Sequence, residues 1–185
     1  MDNKKFYSKL FAPVEKKIGR IDRESVVSII GFDYGGPLNF CTVGRDSGAQ
    51  FVTYISCELA IRDEQLPSSV GRYELMMTCS NENWCRSILS NIGRMTLGEA
   101  FSLGHTLDIE AWVGKRARIQ GVIFEEFASV RIGRKQFGIL SCHGVTRPEL
   151  KFARENGGAA LLLLLKKAGV YPMTDLKRKT IGLSE

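Results

Sequence analysis

Histidine and cysteine are the residues of this chain most suited to catalysis, and its 185 residues include only two histidines and five cysteines. Cys142 and His143 are neighbours, which suggests a nucleophile beside its base. They fall in a predicted strand, however, where adjacent side chains point to opposite faces. Cys142 is therefore predicted to be a small core residue. His143 could still act alone, but the sequence indicates no partner that would position it for acid–base chemistry.

The other reactive residues also form incomplete patterns. His105 lies in the loop sequence SLGHTLD, where a hydrogen-bonded pair with Asp108 competes with a purely structural turn, and the turn is favoured. Cys79 and Cys85 have C-x5-C spacing and lack the closely spaced second pair of ligands that structural zinc needs. Glu125 and Glu126 are sequence neighbours at a predicted strand end, so their carboxylates would diverge.

Phosphate-binding loops are incomplete as well. GFDYGG has glycines but no following Lys-Ser/Thr, and VGKRAR has a lysine without the glycine frame or the hydroxyl. The sequence therefore predicts no catalytic residues, no cofactor and no metal site, and it predicts that the chain is not an enzyme. A hydrolase that uses Cys142 or His105 is the least favoured alternative.

The helices and strands that would position these residues are predicted from the spacing of apolar residues along the chain. Residues 3–18 are predicted to form an amphipathic helix through Phe6, Leu10, Val14 and Ile18, with a late start or a break at Pro13. A second helix is predicted over 81–91, and a helix followed by a loop over 93–108. Strands are predicted at 26–31, 40–43, 51–57, 73–78, 119–127 and 136–145, with turns at 33–39 and 44–50 and a bend or short strand over 130–135.

The strands come in clusters instead of alternating with helices. This arrangement predicts an α+β fold, in which a mixed or largely antiparallel sheet is flanked by helices, and not a doubly wound nucleotide-binding fold. We expect one domain over residues 1–185.

The C-terminal part contains a run of five leucines that raises the question of a membrane segment. Thr146 to Glu149 fits a capping box, with Pro148 in the first turn of a short helix that runs to Glu155. Two glycines then precede the leucine helix. A spanning helix needs about 20 apolar residues, and this run stops at Lys166. We therefore predict a buried helix, with Leu161, Leu165 and Ala168 on one face, followed by an extended, docked tail.

Composition indicates an ordinary globular protein. Hydrophobic residues make up 44% and charged residues 25% of the chain, and the net charge is +6. The cations are spread among acidic residues, so a solvated surface is favoured over a nucleic-acid-binding patch. The odd number of cysteines in apolar stretches, and a start without an apolar signal region, predict reduced thiols and a cytoplasmic location.

The sequence from 147 onward, RPELKFARENGGAALLLLLKKAGVYPMTDLKRKTI, resembles the C-terminal signature of the suppressor of fused domain family. That signature has an ELxFA helix, a glycine-led leucine helix and a Tyr-Pro-x-Thr-Asp-Leu-x-Arg segment. Upstream, RYELMM at 72–77 resembles the family's ELxM strand. Trp84, Ile88-Leu89 and LGHTL at 103–107 then follow in the family's order, and FCTVG at 40–44 resembles the family's threonine–glycine strand near the start. The resemblance covers residues 26–181.

This resemblance implies a compact mixed α/β domain without catalytic activity that binds another protein. The animal member inhibits a transcription factor, whereas bacterial single-domain members resemble immunity proteins that neutralise a toxin. The length of this chain fits the bacterial single-domain type. The animal protein grips its partner with a tyrosine and an aspartate that align near Met95 and His105 here, so that particular ligand should not be carried over.

The predicted partner-binding residues are Trp84, Met95, His105, Tyr171, Asp175 and Arg178. Tryptophan is the residue most enriched at binding hot spots, and the segment from Tyr171 to Arg178 could accept an added strand. A local Asp175–Arg178 ion pair that holds the tail onto the body is the favoured alternative for that segment, and the tail is expected to fasten the leucine helix to the sheet.

The function predicted from the sequence is a cytoplasmic, non-catalytic protein-binding module, specifically an immunity protein for a toxin encoded next to it. The alternative is a basic nucleic-acid-binding or regulatory protein. We expect a protein partner rather than nucleic acid, and no membrane. The partner's identity, the contact surface and the oligomeric state are left open by the sequence.

Overall fold

The computed structural model describes residues 2–45 and 48–183, except for the side chains of 24–26. Asp46 and Ser47, in the predicted turn at 44–50, lie outside the described residues. The helices are α1 (Asn3–Ile18), α2 (Glu82–Met95), α3 (Glu110–Val113), α4 (Arg147–Asn156) and α5 (Gly158–Lys167). The strands are β1 (Asp22–Val26), β2 (Phe40–Val43), β3 (Val52–Ser56), β4 (Arg72–Cys79), β5 (Thr106–Asp108), β6 (Ile119–Ile132), β7 (Lys135–Thr146) and β8 (Met173–Thr174).

The strands form one mixed sheet in the order β1-β2-β3-β4-β7-β6-β5, and β8 adds to β4. β4 runs parallel to β7 and to β8, while the other neighbours are antiparallel. Five helices flank this sheet within the described residues. The predicted α+β fold with a mixed sheet is therefore confirmed.

Alternation along the strands gives each face of the sheet its own core. Tyr73, Leu75 and Met77 of β4 pack on the face covered by α2. Met76 of the same strand joins the opposite face under α1, as a period of two residues requires. The far end of that second face, around Ile123 and Val145, is covered by α4 and α5.

Helix α1 begins and ends as predicted, but no break occurs at Pro13. Asp2 caps the helix by accepting a hydrogen bond from the Lys4 N–H at 2.9 Å, and Pro13 lies inside the continuous helix. The Tyr7 hydroxyl donates to Glu74 at 2.7 Å. Because Glu74 is fully buried in β4, this bond ties the helix directly to the centre of the sheet.

The capping box at the start of α4 is confirmed. Glu149 accepts a hydrogen bond from the Thr146 N–H at 2.8 Å, and Gly157 separates α4 from α5. The prediction of a fully buried leucine helix is wrong in part. Leu161, Leu162 and Leu165 are buried, but Leu163 is 70% exposed and Ala168 is exposed. The helix covers one end of the sheet from outside, so its outer side meets solvent. Across residues 2–45 and 48–183, no helix is long and apolar enough to cross a bilayer.

The bounds of two predicted strands were also wrong. The strand expected at 26–31 ends at Val26, and the chain then turns into a 3-10 helix over Phe32–Tyr34. Val27, Ile29 and Ile30 are exposed, so their apolar character does not reflect a buried strand. The segment 130–135, expected to be a bend or a short strand, contains both: β6 continues to Ile132, a hairpin turn lies at Gly133 and Arg134, and β7 begins at Lys135. Glu125 and Glu126 therefore lie within β6 and not at its end.

Candidate protein-binding surface

Both tryptophans of the chain line one groove at the sheet face covered by α2. The groove encloses about 530 Å3. Four separate elements form it, namely the first turns of α2, the short helix α3, the start of β6, and the tail after β8. We call it the tryptophan groove and define it by its apolar lining, which consists of Trp84, Ile88, Trp112, Val113, Ile119 and Leu176.

Local hydrogen bonds set the positions of the two tryptophans. The Asn81 side chain accepts a hydrogen bond from the Trp84 N–H at 2.9 Å and so caps the start of α2. The Asp108 side chain accepts one from the Glu110 N–H at 3.0 Å, which forms a turn between β5 and α3. Trp84 packs partly against the core, whereas Trp112 is 38% exposed.

Arg118 forms the boundary between this groove and a second, basic pocket. It lines both cavities, and its guanidinium donates to the Lys177 carbonyl, which fixes it beside the tail. The second cavity encloses about 320 Å3 at the N-terminus of α4. We call it the basic pocket and define it by Arg118, Thr146, Arg147, Arg178, Lys179 and Thr180.

The cations of the basic pocket differ in how far acids neutralise them. Arg147 pairs with Asp108 at 2.5 Å and with Glu110, and Arg178 pairs with Glu149 at 2.6 Å. No ion pair with an acid is made by Arg118 or Lys179 within the described ranges. The surface between the two cavities is therefore net positive, because two cations remain without an acidic partner.

The tail is held by a different ion pair from the predicted one. Both nitrogens of the Arg178 fork lie 2.6 Å from Glu149, and one also donates to the Gly144 carbonyl at 2.9 Å. Burial alone would raise the pKa of Glu149, but Arg178 and the backbone donors hold this pKa below its ordinary value. Asp175 instead accepts a hydrogen bond from the Lys177 N–H at 2.8 Å. The predicted Asp175–Arg178 pair was wrong, since Arg178 is locked to the start of α4 and to β7. Tyr171 and Ile181, on either side of this lock, pack against the cluster that contains the α5 leucines and residues of β6 and β7.

The residues predicted to bind a partner are spread over several places. Trp84 lines the tryptophan groove and Arg178 lines the basic pocket. Met95 ends α2 and packs against the core. His105 is exposed in a turn, where its Nδ1 accepts a hydrogen bond from the Ser102 N–H at 3.3 Å. Tyr171 is half-buried, with its ring centroid 5.4 Å from that of His143.

Several residues of this surface were missed by the sequence prediction, chiefly Leu176 and Arg118, and Trp112 was left unassigned. Trp112 and Trp84 are 28 positions apart, so no local spacing links them. Asp108 was considered only as a partner of His105, but it pairs with Arg147 and Arg154. Only the tertiary fold brings these residues to one surface.

The residues that suggested catalysis do not meet in an accessible cleft. Cys142 packs in the core under α2, and burial raises the pKa of its thiol. His143 is fully buried, and neither of its ring nitrogens has a hydrogen-bond partner among the described residues. The five cysteines are free. No cluster of three metal-ligating side chains occurs in the part of the chain that the structure describes.

A rigid α+β scaffold with an exposed aromatic groove is the class of structure that these observations define. A family model described as "Suppressor of fused protein" matches residues 35–179. The match covers most of the chain, so this protein belongs to the suppressor of fused family. A search of curated proteins found no significant match.

Solved structures show the same fold. One, described as a Sufu–Fu complex, is similar with a TM-score of 0.67 and 16% identity over 96% of this chain and 91% of the other. Drosophila Suppressor of Fused is similar with a TM-score of 0.59 and 17% identity, over 78% of this chain and 43% of the Drosophila chain. At these identities the likeness is one of fold.

Proposed function

We propose that this chain is a non-catalytic protein-binding module that holds its partner at the tryptophan groove. The observation that carries the proposal is the convergence of both tryptophans on one accessible groove that also contains Leu176. Tryptophan side chains offer large contact area at little entropic cost and dominate binding hot spots. Because Trp112 is 38% exposed, a partner that covers it would remove apolar surface from water.

The comparison with solved structures supports a protein as the partner. One of the structures with this fold is described as a complex of Sufu with Fu. The arrangement of Cys142, His143 and His105 supports a role without catalysis. The first two are buried and the third is exposed in a separate turn, so none of them forms a nucleophile–base pair with another.

The finer form of the proposal is an immunity protein that neutralises a toxin encoded next to it. Its support is the resemblance to single-domain members of the family that look like immunity proteins. The positive net charge of +6 favours a toxin that is acidic, or one that is bound away from a basic catalytic groove, since like charges repel at an interface.

The test uses the products of the genes that flank this chain's own gene. We expect one of them to form a one-to-one complex with the purified chain in size-exclusion chromatography with light scattering. Co-expression should restore growth if that product is toxic. The Trp112→Ala variant should weaken the complex by about tenfold or more, whereas Leu163→Ala, an exposed leucine on α5, should leave it unchanged. The immunity-protein form of the proposal fails if no flanking product binds.

Nucleic-acid binding is a second candidate, favoured by the cationic sequence Lys-Arg-Ala-Arg at 115–118 beside two tryptophans. Aromatic side chains can stack bases, and cations can contact phosphates. Affinity for DNA or RNA would then fall steeply as salt rises, because counterions are released on binding. A flat salt titration, or no binding at low salt, removes this candidate.

A further inference from the structure

The partner's chemistry can be inferred from the way the tryptophan groove adjoins the basic pocket. We propose that the two cavities form one docking surface for an acidic protein segment, in which a large apolar side chain occupies the tryptophan groove and carboxylates lie over Arg118 and Lys179. This inference deepens the proposed function and rests on it. It names the class of partner, an acidic segment with an apolar anchor.

Continuity between the two cavities is the first argument. Arg118 lines both of them, so a segment seated on Trp112 must pass this guanidinium to leave on the side of α4. The hydrogen bond from Arg118 to the Lys177 carbonyl holds the cation at the boundary. An extended chain covers about 3.3 Å per residue, so a short segment can reach both cavities.

Charge complementarity is the second argument. The sequence at 115–118 supplies three exposed cations and no acid, and the exposed Lys177 and Lys179 flank Arg178 on the tail. Asp108 and Glu110 are paired with Arg147, and Asp175 keeps its negative charge while it accepts a backbone hydrogen bond. Because the exposed cations outnumber this one carboxylate, the rim is net positive, and it would attract a segment that carries carboxylates.

The apolar lining is the third argument, because it selects against a purely electrostatic ligand. The groove is lined by apolar side chains, namely Trp84, Ile88, Trp112, Val113, Ile119 and Leu176. Covering such a lining is energetically favourable only when the ligand buries apolar groups against it. A segment of carboxylates alone would leave this lining uncovered. An aromatic or leucine side chain between acidic residues satisfies both cavities.

The test uses synthetic 14-residue peptides without tryptophan, so that the protein's two tryptophans report on the groove. The first peptide places Phe and Leu among Asp and Glu. The second has Lys and Arg in place of the acids, the third has Ser in place of the apolar residues, and the fourth probe is single-stranded oligo-dT. We expect the first peptide alone to shift the tryptophan emission to the blue on saturation.

Variants of the full chain locate the binding. Trp112→Ala should weaken the acidic peptide by roughly tenfold or more, the loss expected for an aromatic hot spot. Arg118→Glu should weaken it by about fivefold at low salt and less at high salt, because exposed charges are screened. The matched controls are Leu163→Ala and Arg131→Glu. Arg131 is an exposed arginine near the end of β6 that is farthest from Ile119. Both controls should bind like the unmodified chain.

Several results would overturn the inference. Equal or tighter binding of the basic peptide removes the acidic class, and tighter binding of oligo-dT favours nucleic acid. Equal binding of the Ser peptide removes the apolar anchor, and no binding of any probe removes the surface. The proposed function fails separately. If a flanking gene product binds but Arg118→Glu and Trp112→Ala leave that complex intact, only the inference about the docking surface is wrong. If the chain binds the acidic peptide but no flanking gene product, only the proposed toxin partner is wrong.

Discussion

His143 shows how one buried side chain links the tail to the pH response of the protein. It lies in β7 with its ring against Tyr171, and both ring nitrogens are buried without hydrogen-bond partners among the described residues. Burial, and then the nearby Arg178 guanidinium, lower the pKa of His143 to about 4, against smaller opposing effects of the nearby Pro172 backbone, Glu149 and Glu125. The folded protein therefore keeps this imidazole neutral where an unfolded chain would protonate it.

The sign of the resulting pH dependence follows directly. Between an unfolded pKa of 6.5 and a folded pKa of about 4, only the unfolded chain binds the proton, so stability falls as pH falls through this window. From pH 7 to pH 5 the loss due to His143 is roughly 2 kcal/mol, since one pKa unit corresponds to about 1.4 kcal/mol.

Replacement of His143 by phenylalanine should remove this loss. Any packing cost of the substitution is the same at both pH values, so the difference between pH 7 and pH 5 isolates the proton. Urea unfolding at the two pH values measures it, and His105→Gln, at the other histidine and in an exposed turn, serves as the control. An unchanged pH difference in His143→Phe would show that this imidazole is not the source.

At the scale of elements, α1 is attached to the sheet through a buried carboxylate. Glu74 accepts four hydrogen bonds, from Tyr7, from the Ser56 hydroxyl at 2.5 Å, and from the backbone N–H groups of Leu59 and Ala60. Burial raises the pKa of Glu74 despite these donors. The bond from Tyr7 is the one of these four that comes from α1, which precedes the region matched by the family model.

The Tyr7→Phe variant should loosen α1 selectively. It removes one donor to a buried carboxylate, which costs about 1.5–3 kcal/mol if Glu74 is charged. Hydrogen exchange should accelerate in the α1 amides by at least tenfold, with a smaller change in β4 and β7. Tyr34→Phe, at a side chain that is 88% exposed, is the matched control. Equal acceleration in α1 and the sheet would show that α1 does not open independently.

Sequence patterns predicted the elements whose apolar residues recur at a regular spacing and those that begin with a capping residue. Phe40–Val43 was located to the residue, and the capping box at Thr146 and Glu149 gave the start of α4. The strand predicted at 26–31 was wrong because apolar residues such as Ile29 and Ile30 are exposed, and periodicity does not distinguish exposed from buried apolar runs. β8 has only two residues, too few for any period to show.

The candidate site was predictable only in part, for a physical reason. Trp84 was selected by residue type, and it does line the groove. The pairing of Arg178 with Glu149 joins residues 29 positions apart, whereas the predicted Asp175 partner was chosen by proximity in sequence. Long-range charge pairing depends on where the tail docks, and that is decided by packing of the whole sheet.

At the scale of the molecule, the tail adds a short strand at the point where β4 and β7 stop pairing with each other. β4 pairs with β7 from Arg72 to Met76, and beyond that point β8 pairs with β4 at Thr78 and Cys79. The buried Thr174 hydroxyl accepts a hydrogen bond from the Gly144 N–H of β7 at 3.0 Å. β8 thus links the β1–β4 half of the sheet to the β7–β6–β5 half.

The Thr174→Val variant tests whether this link makes the two halves cooperative. Valine keeps the shape but removes the acceptor, which leaves a buried N–H unpaired and should lower the free energy of unfolding by about 1–3 kcal/mol.

Thiol labelling under native conditions reports on both halves, since Cys79 lies in β4, Cys142 lies in β7, and both are buried. If the halves open together, both thiols should react faster by the same factor, roughly 5- to 150-fold for that free-energy range. Lys179→Ala, at an exposed side chain of the same tail, should change neither rate. Acceleration at Cys79 alone would mean that β8 frays from β4 while the β7 half stays closed, and the sheet would then consist of two separately stable halves.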